Sequence, residues 1–168
     1  MPVICYRHNG NLRVSVCRER LTAACSGRAA RAADGGRWAP SGAMREVIKT
    51  ENNKPIAPHE WAIAANGMLY SVHVPILPNG TIETGKAEVQ AEVTFSDLED
   101  TLNAAGASFS DVVLVQIFLT SLEYKPSVDQ VYLRYFTKPY PVRACIAVSE
   151  LPTPGTIIEV VATTAVKR

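Results

Sequence analysis

The sequence predicts an α+β fold in which a mixed β-sheet carries two helices on one face. Two segments have the apolar spacing of helices, and short runs of β-branched residues precede, separate and follow them. The resulting order, β-β-β-α-β-α-β-β, is typical of a two-layer α+β domain. With 168 residues, of which 47% are hydrophobic and 20% charged, the composition is that of a globular protein with one folded domain.

Residues 1–43 differ in composition from the rest of the chain. They contain seven arginines, no lysine and two acids, a net charge of +5, whereas residues 44–168 have ten basic and fourteen acidic residues, a net charge of −4. Residues 25–43 are mostly Ala, Arg, Gly and Ser with no sustained apolar period, so they cannot offset their own ordering entropy. We expect a disordered N-terminal extension ahead of a working domain that begins at Met44, with a start codon assigned too early as the favoured explanation. A transit peptide or a regulatory tail stays open.

The mildly acidic body argues against nucleic-acid binding. Cys145 is the one cysteine of the body, and the other three lie in residues 1–43, at spacings that match neither a zinc site nor a disulfide framework. These features predict a protein of the reducing cytoplasm without a bound metal. No apolar run approaches the roughly 20 residues that span a bilayer.

The first part of the body is predicted to form strands and turns. Asn66 and Gly67 are the favoured pair of a two-residue type I′ turn, so the runs on either side of them predict a β-hairpin. In order, the predicted elements are a strand over residues 46–50, a turn over 51–55, hairpin strands over 61–65 and 68–75, and a turn over 77–80.

Two helices are predicted, over residues 86–105 and 127–137, with Gly106 ending the first. Between them, residues 111–120 are nearly all apolar and β-branched, which predicts a strand buried on both faces. Residues 138–141 break the second helix. The residues expected to face inward are Ala91, Thr94 or Phe95, Leu98, Leu102 and Ala105 in the first helix, and Val128, Val131, Tyr132, Tyr135 and Phe136 in the second.

The last two strands each carry one charge among apolar neighbours, Arg143 in residues 141–148 and Glu159 in the strand that starts at 157. An ion in the middle of an apolar strand is costly unless it is paired or used. Arginine binds a carboxylate through two parallel hydrogen bonds, and a glutamate beside it can position and polarise a water molecule. A purely structural ion pair that bridges adjacent strands is the alternative.

Several motifs in residues 44–168 occur together and in register. The body resembles the Rid family of reactive-intermediate deaminases, also called YjgF-like proteins. The segments that carry the resemblance are Pro141-Val142-Arg143-Ala144-Cys145, Leu151-Pro152 and Ile158-Glu159-Val160-Val161-Ala162, supported by Ile56-Ala57-Pro58, Gln90-Ala91, Ala104-Ala105-Gly106 and Asp111-Val112-Val113.

The resemblance implies a homotrimer of chorismate-mutase-like subunits with active sites in the clefts between neighbours. It also implies hydrolysis of enamines and imines, such as 2-aminoacrylate and 2-iminopropionate, to 2-keto acids and ammonia without a cofactor or metal. Arg143 would bind the substrate carboxylate, the backbone at Cys145 would hold the substrate, Glu159 would orient the attacking water, and Ser71 would line the pocket.

Three residues depart from the common pattern of the family. His59 stands where Tyr is usual, Val72 where Gly is usual, and Asp129 where Asn is common. The valine would narrow the pocket and the aspartate would add negative charge, so the usual small substrate is in doubt. His73 lies two residues from Ser71 on the same face of a strand, which would bring it to the site.

Each of these residues also has a plainer interpretation. Cys145 would be a small core residue, His59 and His73 ordinary histidines without ligand spacing for a metal, and Asp129 a solvated helix residue. Two other functions stay open: a pathway-specific enzyme such as a 2-aminomuconate deaminase, and a non-catalytic trimer that binds small metabolites.

Overall fold

The computed structural model describes residues 45–50 and 58–166. The predicted extension over residues 1–43 and the predicted turn over 51–55 therefore lie outside the described residues, and both stay predictions.

The described residues form one six-stranded mixed sheet and two α-helices, in the predicted order. Neighbouring strands are ordered β1-β2-β3-β6-β4-β5, and every pair is antiparallel except β4 and β5, which run parallel because α2 connects them. The elements are β1 (Glu46–Val47), β2 (Ala62–Ala65), β3 (Met68–His73), α1 (Ala87–Ala104), β4 (Val112–Leu119), α2 (Lys125–Tyr135), β5 (Val142–Ala147) and β6 (Ile158–Ala165).

The predicted hairpin is confirmed as β2 and β3. Asn66 (φ 53°) and Gly67 (φ 77°) both adopt the left-handed conformation that a type I′ turn requires. The preceding strand is shorter than predicted. Only Glu46 and Val47 pair with β2, at the exposed edge of the sheet, where few contacts favour a longer strand.

Both helices pack on the same face of the sheet, here called the helix face. Alternate residues of β4 and β6 are buried beneath them, and most of the predicted inward residues of α1 are buried. Helix α2 begins two residues earlier than predicted, with Pro126 in its first turn. It ends at Tyr135, and Phe136 stays buried in the core just beyond it.

The opposite face of the sheet, here called the open face, is not covered by any helix of the described residues. The prediction that β4 is buried on both faces is therefore wrong for the single chain: Gln116 and Phe118 are only half-buried. The strand is apolar on both faces, but only one face packs against helices. Large apolar side chains are exposed elsewhere on the sheet, including Tyr70, Val142 and Ile146.

Gln90 fixes the loop that leads into β6. This side chain, which is 1% exposed at the start of α1, donates to the carbonyl oxygen of Gly155 (3.0 Å), and its Oε1 accepts from the backbone N–H of Ile157 (2.9 Å). The amide of Gln90 is buried and needs such partners, because a buried polar group left unsatisfied costs about 1–3 kcal/mol. Gln90 thereby sets the position at which β6 enters the sheet, directly before Glu159.

Candidate active site

The sheet itself separates the two predicted catalytic residues. Arg143 on β5 lies opposite Val115, which is buried on the helix face, while Glu159 on β6 lies opposite Phe118 on the open face. Paired residues point to the same face, so Arg143 and Glu159 point to opposite faces. Strands β5 and β6 are two strand spacings apart, and the two residues are offset by three positions along the strands. Together these displacements place their Cα atoms roughly 14 Å apart.

The alternative of an ion pair bridging adjacent strands is therefore wrong. Strand β4 lies between β5 and β6, and Arg143 is paired with Asp129 of α2 instead. In a single chain Arg143 and Glu159 do not share a cavity. Their common site stays a prediction, and it requires two copies of the chain.

Lys125, Asp129, Tyr132 and Arg143 form an arginine cluster between α2 and the edge strand β5. Nη2 of Arg143 donates a hydrogen bond to Oδ1 of Asp129, and Nζ of Lys125 donates one to Oδ2. Both donor–acceptor distances are 2.5 Å. Partial burial raises the pKa of the Asp129 carboxyl, but the hydrogen bonds and charges of Lys125 and Arg143 outweigh it, so this pKa lies below its ordinary value. Asp129 is thus ionised and belongs to the cluster, and is not simply a solvated helix residue.

The guanidinium of Arg143 is fixed in place but is not saturated with partners. Its Cζ lies 4.3 Å from the centroid of the Tyr132 ring, a cation–π contact. Its Nε is buried and has no hydrogen-bond partner among the described residues, and 21% of the side chain is exposed. A positioned cation whose side chain is partly exposed is suited to binding a carboxylate.

Cys145 follows on the same strand and faces the same side as Arg143. It lies opposite Ile117, is half-buried against the core, and carries a free thiol. The contact predicted for its backbone involves a ligand, so the substrate-binding role of Cys145 stays a prediction.

His59, Trp61, Val72 and Glu159 form a glutamate cluster on the open face. Burial raises the pKa of the Glu159 carboxyl, and the charge of His59 opposes this increase. The His59 ring makes an edge contact with Trp61 (4.7 Å between centroids), whose carbonyl oxygen accepts from the backbone N–H of Val72 (2.9 Å). Val72 pairs with Val161, which places it diagonally from Glu159. A carboxyl with a raised pKa is suited to proton transfer near neutral pH.

Ser71 and His73 share a face of β3, as predicted, but it is the helix face. Ser71 is 5% exposed and His73 is fully buried, with its Nδ1 2.7 Å from Oδ2 of Asp97 on α1. In the single chain they lie three strands from Arg143 and on the face opposite Glu159. Their place in a site formed by two copies stays a prediction.

Sequence reasoning missed Lys125 and Tyr132 as partners of the site. Both follow from helical spacing once Asp129 is singled out, because Lys125 precedes it by four residues and Tyr132 follows it by three. Among residues 45–50 and 58–166, no group of three or more His, Cys, Asp or Glu side chains is arranged to hold a metal ion. No helix in the same ranges is long and apolar enough to cross a membrane.

The sequence of the domain decides its family. Residues 50–166 match the family described as endoribonuclease L-PSP. This chain belongs to that family, the Rid or YjgF-like family predicted above.

Relatives with curated names include three that span most of the domain. A RutC family protein of Pyrococcus horikoshii is 37% identical over 65% of this chain and 89% of its own length. Reactive Intermediate Deaminase A, chloroplastic, of Arabidopsis thaliana is 34% identical over 73% of this chain and 68% of its own. A 2-iminobutanoate/2-iminopropanoate deaminase of Dermatophagoides farinae is 29% identical over 59% of this chain and 79% of its own.

Solved structures of the same fold include RidA from an Antarctic Psychrobacter and TdcF of Escherichia coli with bound serine. The first has a TM-score of 0.68 at 26% identity and covers 72% of this chain and 99% of its own. The second has a TM-score of 0.66 at 26% identity and covers 73% and 99%. The Rid-family fold predicted from the sequence is therefore confirmed.

Proposed function

We propose that this protein hydrolyses small carboxylate-bearing enamines and imines, of the 2-aminoacrylate and 2-iminopropionate type, to 2-keto acids and ammonia. The observation that carries the proposal is the pair of complementary clusters: a fixed, partly exposed guanidinium, and a carboxyl whose pKa is raised. Two relatives named as deaminases of reactive or imino intermediates support it.

The proposed site is formed by two copies of the chain. One copy supplies Arg143 from its β5 edge, and the next supplies Glu159 from its open face. The exposed apolar residues of the open face favour such an assembly, because large apolar patches are normally covered by a partner. A homotrimer, the assembly that the sequence resemblance implies, would provide three such sites.

The chemistry requires little beyond positioning. Arg143 holds the carboxylate, which orients the neighbouring C=N carbon. Glu159, once ionised, accepts a hydrogen bond from a water molecule, and the water oxygen attacks that carbon. Glu159 accepts one proton of this water and returns it to the nitrogen, which gives a carbinolamine. The hydroxyl proton of the carbinolamine then passes to the nitrogen as the C–N bond breaks, so the carbonyl forms and ammonia leaves. Addition of one water to the imine thus accounts for all atoms of the keto acid and the ammonia.

The test generates 2-iminopropionate in situ from serine with a dehydratase and measures release of the keto acid. Wild-type protein is expected to accelerate release over the spontaneous rate, whereas Arg143→Ala and Glu159→Gln are not. Unaccelerated release with the wild type would refute the proposal.

A metabolite-binding protein without catalysis is the second candidate, because a structural relative was solved with bound serine. Tight binding of an amino or keto acid without turnover would favour it. A pathway-specific substrate such as 2-aminomuconate would instead show as turnover of that substrate alone. Ribonuclease activity, named in the family description, is disfavoured by the net charge of −4 on residues 44–168.

The cytoplasmic location stays a proposal. One relative is named as chloroplastic, so the transit-peptide alternative for residues 1–43 stays open.

A further inference from the structure

The arginine cluster offers a donor and an acceptor side by side. We propose that Asp129 determines which ligands the site takes, selecting those with a cationic nitrogen next to the carboxylate over the corresponding keto acids. Such ligands are the iminium form of an imino acid and the zwitterion of an amino acid. The inference rests on the proposed function, since it assigns a substrate class to the same site.

Both members of the Arg143–Asp129 pair keep unused hydrogen-bonding capacity. A carboxylate has about four acceptor positions, and Asp129 uses two of them, one on each oxygen, for Arg143 and Lys125. Its side chain is 31% exposed, so a ligand can reach the remaining positions. On Arg143, Nε has no partner among the described residues but is buried, and a ligand reaches the guanidinium through the 21% of the side chain that is exposed. A ligand carboxylate that binds the guanidinium therefore meets a protein carboxylate bonded to the same guanidinium.

The cluster contains two cations and one anion, a net charge of +1, so it attracts the carboxylate of any ligand, and Asp129 supplies the difference between ligands. Asp129 faces Lys125 of its own helix and Arg143 of β5. Burial raises the pKa of the nearby Tyr132 phenol, which is therefore uncharged at neutral pH. A keto acid places only negative charge beside Asp129, which repels it. An iminium or ammonium nitrogen, one carbon away from the ligand carboxylate, instead gains an attraction and a charge-assisted hydrogen-bond acceptor.

The same arrangement would help the reaction in two ways. Asp129 favours the protonated imine, in which the C=N carbon is the better electrophile for the water oriented by Glu159. Hydrolysis then removes the cationic nitrogen as ammonia, so the keto acid left behind loses its attraction to Asp129 and is released.

Binding of L-alanine and pyruvate to the full-length protein tests this inference. The two ligands share a three-carbon skeleton and a carboxylate, and differ in carrying an ammonium or a carbonyl group. The ratio of their dissociation constants, measured by titration calorimetry, should favour alanine in the wild type. In Asp129→Asn, which keeps the shape and removes the charge, this preference should fall by about tenfold or more, the effect of one charge-assisted hydrogen bond. A fall of less than about threefold would overturn the inference, and we count any larger fall as support.

Two further variants test whether the change in preference is caused by the charge of Asp129. Lys125→Met removes the other cation from Asp129 and should increase the preference for alanine, and a decrease would overturn the inference. Glu99→Gln removes one exposed carboxylate from α1 and should leave the preference unchanged, and an equal effect of this variant would also overturn the inference.

Arg143→Ala separates this inference from the proposed function. Loss of both ligands in Arg143→Ala, with an unchanged preference in Asp129→Asn, would refute the role of Asp129 and leave the site intact. Unaltered binding of both ligands to Arg143→Ala, or no binding of either to the wild type, would refute the site itself and the inference with it.

Discussion

Arg143→Ala and Glu159→Gln are each expected to be inactive alone, and to regain activity when their subunits are mixed in one assembly. The reason is the sheet topology, which directs the two side chains to opposite faces of one chain. Each variant alone should lose about a hundredfold or more, because no site then has both the carboxylate clamp and the water-orienting carboxyl.

The expected recovery follows from counting the sites. If each site takes Arg143 from one subunit and Glu159 from its neighbour, an equal and random mixture yields an intact site at about one quarter of the interfaces in a closed ring. Half of the interfaces lack one residue, and the remaining quarter lack both. The mixed assembly should therefore have about 25% of the wild-type activity per subunit.

The assay is keto-acid release after the two variants are co-expressed with different tags and purified as mixed assemblies. The control is the same pair purified separately and combined immediately before the assay, which should stay inactive until subunits exchange. If the two residues acted within one chain, no mixture would recover activity. Mixed assemblies that remain at the level of the separate variants would refute the reasoning.

Three further predictions concern residues around the site. Gln90→Ala should lower the free energy of unfolding by about 1–3 kcal/mol, because the loop before β6 loses two hydrogen bonds to a buried amide. Gln130→Ala, on the exposed side of α2, should change it by less than about 0.5 kcal/mol in the same urea titration. Equal effects would contradict the role given to Gln90. Burial raises the pKa of Glu159 above its value in the unfolded chain, so protonation of Glu159 favours the folded state. This contribution to the free energy of unfolding is present at acid pH and is lost as pH rises through the raised pKa. Glu159→Gln should therefore stabilise the protein at neutral pH by less than about 1 kcal/mol, and a gain that persists below about pH 4 would contradict this. Burial, together with the bond to Glu92, raises the pKa of Tyr135 to about 12, so ultraviolet titration should show a late phenol ionisation that Tyr135→Phe lacks, and stability should fall as pH rises through that value.

Much of the fold could be predicted because the local signals are strong. The left-handed pair Asn66-Gly67 determined the hairpin, and the apolar spacing of α1 determined its buried side, with Gly106 (φ 68°) just beyond its end. The predicted ends of the strands and helices were less accurate than their types. The length of β1 depends on its pairing with β2. Helix α2 follows directly on the helical turn Leu122–Tyr124, and no side-chain cap marks its first residue.

The arrangement of the site was harder to predict, because sequence order does not give strand order. Arg143 and Glu159 lie on strands that follow each other along the chain, yet β4 is inserted between them in the sheet. The same limit applies to β4 itself, whose apolar residues on both faces indicated burial on both faces. His73 illustrates a different gap, since its partner Asp97 lies 24 residues away on a helix and no local pattern links the two.

The position of β4 between the strands of Arg143 and Glu159 makes the proposed activity depend on the concentration of the protein. A newly made polypeptide, before it meets other copies, would carry both reactive groups and yet be inert. Turnover per molecule should consequently rise with protein concentration until association is complete, so the cell would gain the proposed deaminase activity only above a threshold level of expression.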